Sequence, residues 1–284
     1  MFRLLCAALA VGSLVTTARA DRIAPYATPV ERALRAPVVV VGKVTAIEKE
    51  PVSAPLYPGA QKVAHTIAVV KVESNLLGAE NLTHLKVGFV RPAAEQGAGV
   101  QAGRGLNNPE LKEGQEWLFF LVKHADGAFY AVPYMTPPVE TKNDGFKDQL
   151  AGVKKALAAV ADPARALKAE KEQDRYEAAV TIVYTLRTPR EGTRGETEQV
   201  PLSAEESGPI LRALGEGVWA PTPASQSLNG YGAFSMLGLT EKDGWTAPAV
   251  APGADFFATS RQAFVKWLAG PGKDYRIKKL VPKK

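Results

Sequence analysis

Two periodicities divide this chain. Between Pro37 and about Met135 apolar residues recur with the short spacing of strands, and from Phe146 onward they recur every third or fourth position, as on helices. The stretch PVVVVGKVTAIEKE, Pro37 to Glu50, opens the first regime. Its four consecutive valines, Val38 to Val41, predict an extended, buried strand, and Gly42 interrupts them where a strand is free to bend sharply. Alternation resumes with Val44 and Ala46 against Thr45 and Ile47. The β-branched segment Lys62 to Glu73 predicts a second strand, whose blurred middle leaves open whether Ile67 and Val69 or Val70 and Val72 face inward. HLKVGFV predicts a third, with Leu85, Val87 and Phe89 on one face, and Gln115 to His124 a fourth that is apolar on both faces. The dipeptide Asp126-Gly127 then turns the chain into a fifth, AFYAVPYM. Five strands with a long irregular stretch between the third and fourth fit a small, partly closed barrel of the oligonucleotide/oligosaccharide-binding (OB) type. A short helix before the first strand, with Pro29 in its first turn and Val30, Ala33 and Leu34 on one face, is expected to plug one end of it.

PPVETKNDG, Pro137 to Gly145, reads as a linker. Beyond it Phe146, Leu150, Val153 and Leu157 predict a helix ending at Ala161-Asp162-Pro163, and QDRYEAAVTIVYTLR predicts another with Tyr176, Ala179, Val180, Val183 and Tyr184 on one stripe. Ser203 and Glu206 form a capping-box pattern ahead of Ile210, Leu211 and Leu214. The stretch from Trp219 to Gly253 reads as irregular, although Trp219, Tyr231, Phe234, Leu237 and Trp245 make it too aromatic for a disordered segment. A last helix is expected from Ser260 to Ala269, with Phe264, Trp267 and Leu268 docking on the earlier ones.

The order of a helical plug, APVVVVGKV, IAVVKVESNLLG and GQEWLFFLVKHADGAFYAV resembles the OB-type barrel of the netrin-module and tissue-metalloproteinase-inhibitor (TIMP-like) superfamily, over about Tyr26 to Pro138. That resemblance implies the barrel and not the activity. The inhibitors of that superfamily use an N-terminal cysteine to bind a catalytic zinc and hold their fold with disulfides. Here the mature chain would begin at Asp21 and contain no cysteine, so the inhibitory wedge has no counterpart.

That start follows from residues 1–20, MFRLLCAALAVGSLVTTARA, in which Arg3, an apolar run from Leu4 to Val15 and the small-residue pattern Ala18-Arg19-Ala20 predict a cleaved signal peptide. The apolar run is too short to span a bilayer, and the chain is expected to be exported, periplasmic or secreted. Export also changes how the charge is read. Of the formal +6, Arg3 and Arg19 leave with the signal peptide. The last twelve residues, KDYRIKKLVPKK, carry a net +5, so the remaining body is close to neutral at −1. Basicity confined to a tail argues against a nucleic-acid groove. It makes Lys278, Lys279, Lys283 and Lys284 candidates for contact with an anionic surface or envelope polymer.

Reactive chemistry is sparse. His65, His84 and His124 form no close pair of metal-ligand spacing, and no metal or cofactor is expected. Ser235 in GAFSMLG lacks the glycine spacing and preceding strand of a nucleophile elbow. The glycines of QGAGVQAGRG precede another strand rather than a helix, so they read as a flexible connection and not as a phosphate loop. That long loop still offers Arg104, Asn107 and Asn108 as a candidate ligand contact, since loops on a rigid scaffold often carry binding. Trp117, Phe119, Phe120, Phe129 and Tyr130 are of the type that stacks on bases or sugars, but the double-sided apolarity of their strand favours core packing. The expectation is an α+β protein with a small five-stranded OB-like β-barrel followed by a helical domain. Its divisions are a signal peptide at 1–20, a barrel at 21–140, a helical domain at 141–272 and a basic tail at 273–284. The leading functional expectation is an exported, non-enzymatic binding or interaction protein whose partner is an unknown protein or envelope polymer. An envelope hydrolase with a dispersed site and a structural subunit docking through its helical half are the alternatives.

Overall fold

The computed structural model describes residues 27–56, 59–90, 110–125, 127–133, 136–222 and 228–283. The expected signal peptide, with the single cysteine Cys6, lies outside them. With one cysteine in the whole chain, no intrachain disulfide can form. Among the described residues no helix is long and apolar enough to cross a membrane.

The fold is α+β. Strands β1 (Val38–Ile47), β2 (Val52–Pro55), β3 (Lys62–Leu77), β4 (His84–Phe89), β5 (Glu116–Lys123), β6 (Tyr130–Ala131) and β7 (Val139–Glu140) form one mixed sheet. Helices α1 (Pro29–Arg35), α2 (Phe146–Ala161), α3 (Pro163–Ala166), α4 (Glu172–Arg187), α5 (Ala204–Leu214), α6 (Gly230–Leu237) and α7 (Phe256–Ala269) complete it, with a separate ribbon of β8 (Thr197–Pro201) and β9 (Lys278–Pro282). The expected five strands become seven in the main sheet. β2 arises in the Pro-containing stretch between β1 and β3, because Val52 to Pro55 find partners in Lys62 to His65. β7 arises inside the expected linker, where Glu140 and Val139 pair with Trp117 and Leu118.

Hydrogen bonding runs β1-β3-β4-β6-β5-β7, and β1 pairs also with β5. All pairs are antiparallel except β4 with β6. The four valines of β1 therefore lie between two strands, and alternate valines enter different cores. Val38 and Val40 join Phe119, Leu121 and Leu85 on one side of the sheet. Val39 and Val41 join Leu118, Phe120, Ala33 and Val153 on the other, where α1 and α2 cover it. The two-sided apolarity of β5 thus reflects two buried faces. Its aromatic residues are core, and Trp117, Phe119 and Phe120 are all buried. In β3, Ala68 and Val70 enter the first of these cores with Val72 at its edge, while Ile67 points to a third cluster with Ala54 and Phe129.

α1 is fixed at its start by a capping box in which the Thr28 hydroxyl accepts from the Glu31 N–H and the Glu31 carboxylate accepts from the Thr28 N–H. Buried Arg32 ties this helix to the chain before β7, its Nε donating to the Ala27 carbonyl (2.7 Å) and its Nη1 to the Pro137 carbonyl (2.5 Å). α1 lies between the sheet and the helical half and contacts α2 and α4.

α4 is the axis of the helical half. A single apolar stripe was the expectation, but Ala178, Thr181 and Ile182 are buried along with Tyr176, Ala179, Val180, Val183 and Tyr184. α1, α2, α5, α6 and β9 surround it, so no face is left for solvent over its middle turns. Arg187 at its end donates to the Met236 carbonyl (2.7 Å) and the Lys278 carbonyl (2.5 Å), joining α6 and β9 to it. The Tyr275 hydroxyl donates to the Leu237 carbonyl (2.9 Å), and burial pushes its pKa up to about 12, so this core carries no phenolate in the neutral range.

Two further expectations are corrected. The stretch after Trp219 contains α6, capped by the Asn229 side chain at its start and by Gly238 in the left-handed region at its end. The last helix begins four residues earlier than its apolar pattern, at Phe256, because the Asp255 carboxylate accepts from the Phe257 and Ala258 N–H groups.

Candidate functional site

The residues singled out by the sequence do not converge. Arg104, Asn107 and Asn108, together with Lys284, lie outside the described residues. Lys278 and Lys279 belong to β9, paired with Pro201 and Val200, and are half-buried. The expected free tail is therefore a strand as far as Pro282. Lys283 donates to Glu196 (2.8 Å). Hydrogen bonds from the Ser203 backbone and hydroxyl hold the Glu206 carboxyl below its usual range, and Lys279 adds to that effect. Lys283 and Lys279 thus each have an acidic neighbour within the chain. Ser235 sits on α6 and donates to the Tyr231 carbonyl (2.8 Å), a bond along its own helix and not a nucleophile's geometry. His84 is exposed beside the Thr83 hydroxyl.

A concavity among the helices was not legible in any motif. It is an open groove of about 2050 Å³ between the start of α1, one side of α2, α3, the first turns of α4 and the chain on either side of Trp219. Its walls are mostly small: Ala156, Ala158, Ala159, Ala161 and Gly152 on α2, and Ala178 on α4. Alanine is the best helix former and reaches only about 1.5 Å from the backbone, so these helices form readily yet cannot fill the space between them. Val30 and Val218 add branched apolar edges, and Val218 is 75% exposed although it is a valine.

One polar cluster crosses the rim. Lys155 on α2 donates to Asp174 (2.5 Å) and Glu177 (2.7 Å) on α4, and Gln173 donates to the second oxygen of Glu177 (2.7 Å). The hydrogen bonds to Asp174 and Glu177 raise the Lys155 pKa, and the Lys155 hydrogen bond holds the Asp174 carboxyl below its ordinary value. All three side chains are substantially exposed, so this bridge sets the spacing of α2 and α4 more than it stabilises them. At the inner end the Tyr176 hydroxyl donates to the Val218 carbonyl (2.6 Å) and accepts from the Gly230 N–H (2.8 Å), which fixes the far wall against α4.

Gln149, also on the groove wall, has a buried amide oxygen without a hydrogen-bond partner. An unmet buried acceptor costs roughly 1–3 kcal/mol, and packing of the free protein gives no reason for it. Gln149→Met, nearly equal in helix propensity, is expected to raise stability by about 1 kcal/mol in urea denaturation. An unchanged or lowered midpoint would mean the oxygen is satisfied.

Among the described residues no group of three or more His, Cys, Asp or Glu side chains is placed to hold a metal ion. Comparisons with protein-family models, curated proteins and solved structures returned no match for this chain.

Proposed function

We propose that the chain is an exported, non-enzymatic binding protein that receives an amphipathic helix of a partner protein in the groove between α2 and α4. The observation that carries this reading is the lining: many small apolar side chains on α2 and α4 with an exposed valine, interspersed with charged groups. Helix-in-groove recognition has that chemistry, with apolar anchors inserted between helical walls and a polar edge to set register. The volume corresponds to roughly 25 Å of a helix 10 Å across, or about 17 residues. Acid–base or nucleophilic chemistry would need polar groups aimed at one point, whereas Lys155, Gln173, Asp174 and Glu177 bond to one another.

For the sheet, we infer an OB-type barrel resembling that of the TIMP-like superfamily. Support comes from the order of pairing. Without β2 and β7, the strands follow one another as first, second, third, fifth and fourth, with the fourth returning to the first and the third parallel to the fifth. OB barrels are wound in that order. In this reading the barrel is a scaffold, since α1 and α2 cover the outer face of β1 and β5.

Panning the purified mature protein against a library of amphipathic peptides of roughly 16 residues tests the binding reading. Enrichment of sequences with apolar residues at helical spacing is the expected outcome. Recovery of no sequence, or of polyanionic sequences alone, would count against it.

A further inference from the structure

The groove holds two polar groups that the free protein leaves unanswered. Others on its walls are accounted for: the Lys155 cluster is bonded within itself, the Tyr176 hydroxyl is engaged twice, and Asp148, Arg165 and Lys168 are open to solvent. Thr181, in the middle of α4, is different. It lines the groove yet is only 8% exposed, and its hydroxyl has no partner among the described residues. A threonine inside a helix readily donates to the carbonyl four residues back, as Thr185 does to Thr181 itself (2.9 Å). Thr181 makes no such bond. Its oxygen is not sealed into the core either, so the open space it meets is the groove. The second group is Gln149 on α2, whose amide oxygen is buried without a partner on the wall of the same groove.

We infer that Thr181 and Gln149 set the specificity of the groove, and that the helix it receives inserts neutral hydrogen-bonding side chains, serine, threonine, asparagine or glutamine, among its apolar ones. This rests on the helix-binding reading above and narrows the partner. A hydroxyl both donates and accepts, and a primary amide presents its NH2 or, turned over about its last torsion, its oxygen. Both groups therefore suit a hydroxyl or an amide. A wholly apolar helix seated here would close off the Thr181 hydroxyl and leave the Gln149 oxygen unmet, and such a partner is weakened by the cost of those groups. A charged side chain would exchange its hydration for one neutral hydroxyl at a deeply buried position, which is costlier still. Neutral polar side chains remain. Single polar residues on an apolar face fix the register of paired helices in coiled coils by the same means.

Peptides recovered from an amphipathic library on the intact mature protein test this. At least one serine, threonine, asparagine or glutamine is expected at a fixed place among their apolar positions. The affinity of one such peptide, and of its variant with alanine at that place, is then measured for wild type, Thr181→Val and Gln149→Met. Wild type is expected to lose about tenfold on the change to alanine. Thr181→Val is expected to bind the parent peptide about tenfold more weakly than wild type and to be indifferent to that change. Should Thr181→Val fail to fold, Thr181→Ala takes its place with the same expectation. Gln149→Met is expected to weaken the parent peptide while raising the stability of the free protein, a combination that a purely structural role would not give. Peptides with an unbroken apolar face, equal affinity of wild type and both variants, or a loss in Thr181→Val that persists on the alanine peptide would overturn this inference and leave helix binding standing. Recovery of no peptide would overturn both.

Discussion

Trp219→Ala is expected to cost about 3–5 kcal/mol, the range for a fully buried large aromatic. Trp219 is 1% exposed, and its indole N–H donates to the Leu214 carbonyl at the end of α5 (2.9 Å). Its ring stacks on Phe234 of α6 at 4.9 Å and tilts against Phe264 of α7 at 5.3 Å. One side chain thus joins three helices. Alanine would leave a cavity among them and strand a buried carbonyl, two costs that add. Chemical denaturation followed by far-UV circular dichroism measures it. A loss under 1 kcal/mol would mean that the helical core does not centre on this residue.

The second large effect is expected at Gly42. This residue is paired with Val72 on β3 and Trp117 on β5, at a point where the β1–β3 register shifts between Val41 and Gly42. A Cβ there would stand 2.5 Å from Val70 Cγ1 and 2.9 Å from the Lys71 carbonyl oxygen. The valine methyl can turn aside, but the carbonyl belongs to the backbone of the neighbouring strand and cannot move without opening the ladder. Gly42→Val therefore overpacks a position enclosed on both edges, and a loss of about 2–3 kcal/mol is expected. Gly42→Ala should lose less, since it lacks the further methyls. If valine were tolerated within a few tenths of a kcal/mol, the close approach of β3 to β1 would be wrong.

The strength of β1 as a sequence signal and the constraint on Gly42 have one cause. A strand with neighbours on both edges and cores on both faces needs apolar residues throughout, and one residue without a side chain where the sheet bends. For the same reason the aromatic run of β5 is readable as doubly buried before any partner is known. The strands that escape a reading of the sequence have the opposite character. β8, TEQVP, is exposed at every position but Val200, which is half-buried, and has no apolar alternation. It is a strand because β9 pairs with it. β2 contains a proline and is similarly dependent on β3. α6 has two glycines within eight residues, and its helical character rests on its caps and on packing against α4.

The groove has no local signature. The groove is a property of where alanines on α2 and α4 stand relative to Val30 and Val218, and alanine in a helix says nothing of what faces it.

The binding reading stands or falls on the groove itself. Ala158 lines it from an exposed position on α2, so Ala158→Trp fills the space without disturbing a buried contact. The decisive measurement is the affinity of a helical peptide recovered by panning for wild type and for Ala158→Trp, with denaturation midpoints confirming that both are folded. The expected result is a loss of affinity of at least about tenfold in the variant, equivalent to about 1.4 kcal/mol. Equal affinity for the two proteins would place the peptide elsewhere and contradict the groove as the binding site.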